Sequence, residues 1–145
     1  MQTELHLPPF DDALLQSIDE LAARVFDGNG PGVKWRLTNM PAASAACVRV
    51  DGRLGGFKLG YAMSETKYYS WLGGVDPLLR RRGIAGALME AQHDWAAAQG
   101  YALVETAADQ ANAAMARVNL AHGFRVAGLR AEPRRTQVLY LKTLG

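Results

Sequence analysis

The sequence of 145 residues lacks several features that mark particular classes of protein. It has one cysteine, Cys47, which excludes an internal disulfide framework and is typical of a reducing compartment. It has no run of about 18 uninterrupted apolar residues, which a membrane-spanning helix requires. Its start, MQTELHLPPF, lacks the basic residues and the apolar run of a secretory signal peptide. We therefore expect one cytoplasmic domain over residues 1–145.

Strong net charge and the common phosphate-binding motifs are absent too. The formal net charge is +2, so the pI of about 8.9 does not by itself argue for nucleic-acid binding. The patterns G-x-x-x-x-G-K-[ST] and G-x-G-x-x-G do not occur, which removes a P-loop and weakens a dinucleotide-binding fold. His6, His93 and His122 lie far apart and lack zinc-site spacing, so we expect no metal and interpret them as surface or packing residues.

Hydrophobic periodicity divides the chain into strands and helices. It predicts a strand at residues 2–7, a helix from Asp11 or Asp12, and a short helix in VKWRLTNMP. Three strands follow, and the dipeptide Asp51-Gly52 between the first two is suited to a tight hairpin turn. The three strands are AACVRV, GGFKLGYAM and KYYSWLGGV.

The second half of the chain continues this alternation. A helical pattern starts at Gly83 and is capped by Gly100, and the apolar run YALVET is typical of a buried strand. A further helix, with Asp109 as its N-cap, ends at Gly123. The segments FRVAGL and TQVLYLK are predicted to form the last hairpin. The order of elements indicates an α/β or α+β domain with a mixed sheet.

The segment GVDPLLRRRGIAGALM, residues 73–88, places three arginines directly before a glycine and a helical pattern. A helix N-terminus already carries about half a positive elementary charge, so cations there indicate an anionic ligand. Its first N–H groups lack intrahelical partners, and Gly83, Ala85 and Gly86 are small enough for a bulky anion to approach. The arginines add charge-assisted hydrogen bonds and indicate more than one phosphate. The alternative is a solvated basic turn.

Two segments resemble the motifs of a known family. Val75, Pro77 and the spacing Arg80-x-x-Gly83-x-Ala85 resemble the acyl-CoA signature Q/R-x-x-G-x-G/A of the GCN5-related N-acetyltransferases (GNAT). The segment NAAMARVNLAHGF, residues 112–124, resembles that family's later helix, and the two motifs stand in the family's order. The resemblance extends over the whole chain. It implies a mixed, mostly antiparallel sheet of about six to seven strands with helices on both faces.

The resemblance also implies that acetyl-CoA is the co-substrate and which residues bind it. Backbone N–H groups from about Arg81 to Gly86 would hold the pyrophosphate. The strand that ends at Val75 would pair with the pantetheine arm and splay from YALVET. The glycines Gly73-Gly74 indicate a bulge there or a close approach to the backbone. The expected binding residues are Gly74, Val75, Arg80, Arg81, Arg82, Gly83, Ile84, Ala85, Gly86 and Asn112, with Gln110 as a rival to Asn112.

The catalytic positions depart from the family's pattern. The family often has a tyrosine seven residues after the motif's asparagine, where this chain has Asn119, whose amide cannot deliver a proton. Water, Tyr68 or Tyr69 are the alternatives for protonating the leaving thiolate. Glu105, at the end of the central strand, is the first candidate for the base that deprotonates the amine, and Glu65 is the second. The structural interpretation of Glu105 is a solvated charge or a helix-capping partner.

These features predict transfer of an acetyl or short acyl group from acyl-CoA to a primary amine of a small molecule or peptide. A non-catalytic acyl-CoA sensor is the alternative, because the tyrosine is missing. A nucleic-acid binder is weaker, because no aromatic residues interleave the arginines. We expect the acceptor to contact FDGNGPGVKW and RAEPRR, where Asp27 would attract a cationic amine and the arginines an acidic substrate. The resemblance leaves a homodimer open.

Other conspicuous side chains are interpreted as structural. Cys47 lies within a strand and has no base partner, so it is expected in the core. Ser70 lacks the G-x-S-x-G context of a nucleophile. Trp35, Trp71 and Trp95 are expected in the core, with Trp71 in the acceptor cleft as an alternative.

Overall fold

The structure is a computed structural model that describes residues 1–26 and 32–145. Its elements follow the predicted order of strands and helices. A 3₁₀ turn, Pro77–Leu79, precedes the third helix of the chain. In chain order the elements are β1 (Gln2–His6), α1 (Asp12–Val25), α2 (Val33–Asn39), β2 (Ser44–Val50), β3 (Arg53–Ala62), β4 (Lys67–Val75), α3 (Ile84–Ala98), β5 (Leu103–Asp109), α4 (Ala113–Ala121), β6 (Arg125–Ala131) and β7 (Thr136–Thr143).

The described residues contribute seven strands to one sheet, in the order β1-β2-β3-β4-β5-β7-β6. The neighbouring strands β4 and β5 run parallel, and the other neighbouring pairs are antiparallel. A parallel pair needs a long crossover, and α3 supplies it. The predicted mixed, mostly antiparallel sheet of six to seven strands is confirmed.

Helices cover both faces of the sheet, because successive side chains of a strand point in opposite directions. Cys47 and Phe57 pack with α1 and α2 in one apolar cluster. Ala46 and Val48 pack on the other face with α3. Side chains of α3 and α4 share a third cluster with β5 and β7. We call the two sides of the sheet the α1 face and the α3 face.

Local turn chemistry ends several elements where the sequence predicts. Asp51 and Gly52 have φ of 53° and 77° and form the two-residue turn between β2 and β3. Gly100 follows α3 with φ of 97°, and its N–H donates to the carbonyl oxygen of Ala97 at 3.0 Å. None of the described helices combines the length and the apolar composition that a membrane crossing requires.

Two predictions about the end of β5 and the start of α4 are wrong. β5 continues to Asp109, beyond the predicted YALVET, because it stays paired with β7 over its whole length. The N-cap of α4 is Asn112, whose Oδ1 accepts a hydrogen bond from the N–H of Met115 at 3.0 Å. Asp109, the predicted cap, instead accepts a hydrogen bond from the N–H of Ala111 at 2.9 Å in the preceding turn.

The tryptophan predictions divide. Trp95 packs in the cluster between α3 and α4, as expected. Trp35 is 64% exposed, so its predicted place in the core is wrong. The helix α2 has only seven residues, and Val33 and Leu37, one turn apart, form its buried stripe. Trp35 lies off this stripe.

Candidate active site

The loop between β4 and α3 presents backbone N–H groups that have no partner. Arg81 and Gly83 have positive φ, 67° and 78°, and Gly83 is the left-handed N-cap of α3. Left-handed residues of this kind turn successive N–H groups toward one side and create an anion-binding concavity. Within residues 1–26 and 32–145, no N–H group from Arg80 to Gly86 donates to a backbone acceptor. The first helical bond runs from Ala87 N to Gly83 O at 3.1 Å.

The side chains of the same loop supply positive charge. Arg80, Arg81 and Arg82 are exposed, and none forms an ion pair with the described part of the chain. Neighbouring like charges repel one another in the absence of a counter-charge. Unpaired N–H groups at a helix N-terminus together with free guanidinium groups fit a phosphate or pyrophosphate.

The small residues at the start of α3 have separate structural reasons. Gly83 adopts a backbone conformation that other residues rarely adopt. A Cβ atom on Gly86 would lie 3.1 Å from Nε2 of His122 at the end of α4. Gly86 therefore also serves the close packing of α3 against α4.

The strands β4 and β5 separate toward their carboxyl ends. They pair only from Lys67 opposite Leu103 to Ser70 opposite Thr106. Beyond that point β4 pairs only with β3, and β5 pairs only with β7. The residues 71–75 of β4 therefore have one edge that pairs with no described strand. The splay implied by the family resemblance is present, and an extended acyl carrier can pair with such an edge.

A β-bulge shifts the side chains of β4 at the point of separation. Ser70 and Leu72, on either side of Trp71, pair with the consecutive residues Gly60 and Leu59 of β3. Trp71 is therefore the extra residue of the bulge. The sequence allowed a bulge at Gly73 and Gly74, but both residues stay in register with β3. The other interpretation, a close approach, fits Gly74, because a Cβ atom there would lie 3.1 Å from the ring of Phe57.

Near this separation the α3 face holds buried polar side chains without partners. Ser70, Gln92, His93 and Asn119 are at most 4% exposed. Within the described chain, Oγ of Ser70, Nε2 of His93 and both amide atoms of Gln92 and Asn119 have no hydrogen-bond partner. Buried polar groups are normally paired, so this concentration of unpaired groups is typical of a functional site.

Lys58 adds a buried amine to these four residues, and we call the five together the buried polar set. Lys58 lies on β3 directly opposite Gly73 and is 8% exposed. A Cβ atom on Gly73 would lie 3.4 Å from its Nζ, so the amine lies beside this residue of β4. Burial lowers the pKa of Lys58 to about 8. Lys58 is not among the residues predicted from the sequence, although a lysine between apolar residues of a central strand is a readable signal.

His93 is a neutral side chain in this set. Burial, followed by the positive charges of Lys142, Lys58 and His122, lowers its pKa to about 3. Lys142 Nζ lies 3.0 Å from His93 Nδ1, so Nδ1 accepts this hydrogen bond and Nε2 carries the ring proton. The ring packs edge-on against Phe124, which agrees with its interpretation as a packing residue. Among the residues that the structure describes, no three His, Cys, Asp or Glu side chains are grouped to hold a metal ion.

The two candidate bases lie at different distances from the point where β4 and β5 separate. Glu105 is opposite Tyr69, one position before the last pair of β4 with β5, and its Oε1 lies 3.2 Å from Nζ of Lys67. It is therefore next to the separation and within β5, rather than at the end of that strand. Glu65 is exposed in the turn before β4, remote from the separated ends.

The two candidate tyrosines are placed differently. Tyr68 is fully buried, and its hydroxyl oxygen lies 2.6 Å from Oγ of Ser44 and donates to the carbonyl oxygen of Ala42 at 2.9 Å. Because these hydrogen bonds engage the hydroxyl, it is not available to a thioester between β4 and β5, and burial also raises the pKa of Tyr68. Tyr69 is 9% exposed and packs edge-on against Tyr61, with 5.4 Å between ring centroids.

An aromatic cluster borders the separated strands on the α1 face. Nη1 of Arg36, on α2, donates to the hydroxyl of Tyr61 at 2.6 Å, and its Cζ lies 4.6 Å from the Trp71 ring centroid. Trp71 is half-buried, which fits its alternative interpretation as a residue of a cleft. In the last hairpin Glu132 forms ion pairs with Arg130 and Arg135. Asp27 lies outside the described residues.

Asn112 and Gln110 both lie in the exposed segment before α4. The Oδ1 of Asn112 is engaged in capping α4, whereas its Nδ2 has no partner within residues 1–26 and 32–145. The backbone N–H of Gln110 donates to the carbonyl oxygen of Thr136 at 2.9 Å. The capping hydrogen bond thus orients the side chain of Asn112 and leaves its Nδ2 group free to donate to a ligand.

Known proteins resemble this chain in both sequence and fold. A family profile described as "Acetyltransferase (GNAT) family" matches residues 10–124. The ribosomal-protein-S18-alanine N-acetyltransferase from Escherichia coli superposes with a TM-score of 0.82 at 16% identity, over 99% of this chain and 95% of that one. No curated protein matches the sequence significantly.

Two further solved structures of similar fold contain the coenzyme. A GNAT family acetyltransferase from Elizabethkingia anophelis with acetyl-CoA bound has a TM-score of 0.79 at 13% identity, over 99% of this chain and 97% of that one. An aminoglycoside 6'-N-acetyltransferase complexed with coenzyme A has a TM-score of 0.80 at 12% identity, also over 99% and 97%.

Proposed function

Because the chain belongs to the acetyltransferase (GNAT) family and is an enzyme that transfers an acyl group from coenzyme A, we propose that its acceptor is a primary amine. The amine belongs to a small molecule or a peptide, and the acyl group passes to it directly. The observation that supports direct transfer is the separation of β4 from β5. It opens the sheet at one point, with the phosphate-binding loop and the buried polar set on one side and Glu105 on the other.

We propose that the loop after β4 holds the diphosphate of the coenzyme. The unpaired N–H groups from Arg81 to Gly86 and the free guanidinium groups support this role. The unpaired edge of β4 at Gly74 and Val75 supports strand-like pairing with the pantetheine arm. Asn112 has a free Nδ2 for the same arm.

The thioester is already activated, so the enzyme contributes mainly position and polarisation of the carbonyl group. In this proposal an N–H group of β4 near Val75 donates to the oxyanion that forms. Glu105 takes a proton from the amine, directly or through water, and Lys67 orients its carboxylate. The amide of Asn119 donates a hydrogen bond near the sulfur.

We also propose that residues 1–145 form one acetyltransferase domain. This proposal is supported by the sheet, which contains both the first strand, β1, and the last strand, β7. Membership of an acetyltransferase family argues against the non-catalytic sensor. A homodimer stays a prediction.

The test is release of free thiol from acetyl-CoA in the presence of a panel of acceptors. The panel contains a polyamine, an aminoglycoside, free amino acids and a peptide with an N-terminal alanine, together with an alcohol. We expect thiol release that depends on one class of amine, and an acetamide product by mass spectrometry. Release only with the alcohol, or none with any amine although calorimetry shows acetyl-CoA binding, would contradict the amine acceptor.

A further inference from the structure

The leaving group of this reaction needs a proton donor that the expected positions do not supply. When the C–S bond of a thioester breaks, its electron pair goes to the sulfur as a thiolate. Asn119 has an amide that holds its protons, and the hydroxyl of Tyr68 is engaged with Ser44 and Ala42. A donor must therefore come from another side chain near the separated strands, or from water.

Lys58 is a largely buried amine next to the unpaired stretch of β4. Its amine lies over Gly73, which belongs to residues 71–75, where β4 has left β5. Within the described residues its Nζ has no ion pair, and no hydrogen bond involves it. The Lys58 residue is only 8% exposed, and an ammonium group that has lost most of its contact with water and has no ion pair is costly, so such groups are kept where they act.

The side chains in this part of the α3 face are basic or neutral. The charges of Lys58, Lys142 and His122 all act on His93, and the unpaired side chains Ser70, Gln92 and Asn119 are neutral. No carboxylate pairs with Lys58 or Lys142 in the described chain. This surrounding favours a negative charge on a ligand, and a thiolate provides it during each turnover.

Resting on the proposed function, we infer that Lys58 is a further catalytic residue, whose ammonium group gives its proton to the departing sulfur of coenzyme A. The amine nitrogen forms the C–N bond and the C–S bond breaks, with its electron pair left on sulfur. A proton from Nζ then converts the thiolate to the thiol and leaves Lys58 neutral. The attacking nitrogen loses its extra proton to Glu105 or to water, and solvent returns a proton to Lys58.

The pKa of about 8 suits this role, because such an amine is protonated at neutral pH and yet gives up its proton readily. Only protonated Lys58 is active, so kcat of the wild-type enzyme falls as pH rises through the pKa of this group. An amine acceptor that must lose a proton produces the opposite limb at lower pH. The profile is therefore expected to be bell-shaped.

The experiment compares Lys58→Met with the wild type, using acetyl-CoA and the best amine of the panel above. We expect kcat of Lys58→Met to fall about 100-fold or more and the alkaline limb of its pH profile to disappear. We expect the Kd of coenzyme A, measured by calorimetry, to stay within about threefold. The matched control is Arg53→Met, which removes an exposed cation at the start of the same strand and keeps both kcat and the limb.

Lys58→Arg distinguishes a role of Lys58 in proton transfer from a role of its positive charge alone. The same variant tests the inference if Lys58→Met does not fold. Its guanidinium keeps the charge but holds its proton throughout the accessible pH range, so we expect it to be as slow as Lys58→Met. Wild-type activity in either variant, or a wild-type profile without an alkaline limb, would overturn the inference. A wild-type enzyme that binds coenzyme A but acetylates no amine would instead overturn the proposed function.

Discussion

Individual residues of this site combine packing with chemistry. Gly73 lies against the amine of Lys58, and Gly83 allows the left-handed turn that exposes N–H groups of the loop. Asn119 is 1% exposed, and both of its amide atoms are unpaired within the described chain. An amide in this state is explained by a ligand better than by stability, since unpaired burial costs free energy.

Substitution of Asn119 tests whether its amide acts in turnover. We expect Asn119→Ala to lower kcat about tenfold, because it removes one hydrogen bond to the reacting thioester. Asn119→Tyr restores the hydroxyl that the family often has, and we expect it to keep more activity than the alanine variant. Steady-state kinetics with acetyl-CoA measure both, and unchanged kcat in the two variants would remove Asn119 from the mechanism.

Replacement of Glu105 by glutamine tests the proposed base. The amide cannot accept the amine proton, so we expect kcat at neutral pH to fall about 100-fold. Glu90→Gln, at an exposed position of α3, is the control and should leave kcat unchanged. A Glu105→Gln enzyme with the wild-type kcat would assign this carboxylate to its ion pair with Lys67 alone.

At the scale of elements, the ends of helices place the functional groups. Gly123 has φ of 92°, and the N–H of Phe124 donates to the carbonyl oxygen of Asn119 at 3.0 Å, which closes α4 in a Schellman motif. The Gly-Phe pair of the later motif is therefore a helix stop that puts Asn119 in the last turn of α4, against the core. At the other end, Asn112 caps the same helix.

The backbone of the loop before α3 offers an element-scale prediction. Gly83→Ala forces a residue with a Cβ atom to φ of 78°, which costs about 1 kcal/mol of stability. The strained turn also displaces its N–H groups, so we expect the Kd of coenzyme A to rise about tenfold. Denaturant unfolding and calorimetry measure the two effects.

Gly32 is the matched control for this substitution. It has φ of −65° and open space around its missing Cβ. Gly32→Ala should therefore change the free energy of unfolding by no more than about 0.5 kcal/mol and leave the Kd of coenzyme A unchanged. Equal behaviour of the two alanine variants would show that the left-handed turn has no part in binding.

At the scale of the whole molecule, one buried imidazole links folding to pH. The pKa of His93 is lowered to about 3, so the folded protein binds fewer protons than the unfolded chain between about pH 6.5 and 3. Stability is therefore fully present above about pH 6.5 and is lost as pH falls, with a slope of up to about 1.4 kcal/mol per pH unit from this group.

The variant His93→Leu removes this titration and should flatten the loss of stability below about pH 6.5. The free energy of unfolding, measured in denaturant at several pH values, provides the comparison with the wild type. An identical pH dependence in both proteins would show that His93 is protonated without cost in the folded state.

Much of the fold was readable from local signals. Period-two and period-3.6 patterns identified the strands and helices, and Asp51-Gly52 and Gly100 identified the ends of elements, because positive φ favours so few residues. The prediction of a cap at Asp109 was wrong because pairing with β7 extends β5 to that residue. Trp35 was misplaced because residue type does not reveal the orientation of a two-turn helix.

The sequence by itself determined the order of elements and the arginine- and glycine-containing loop before α3, because both depend on residues close together in the chain. Only the tertiary structure decided where β4 leaves β5, that Tyr68 is engaged elsewhere, and that Lys58 and Asn119 are buried. These residues come from different strands and helices, and their contacts depend on the register of a sheet and the packing of α3 against α4. Burial and the loss of partners arise from that packing and leave no local pattern in the chain.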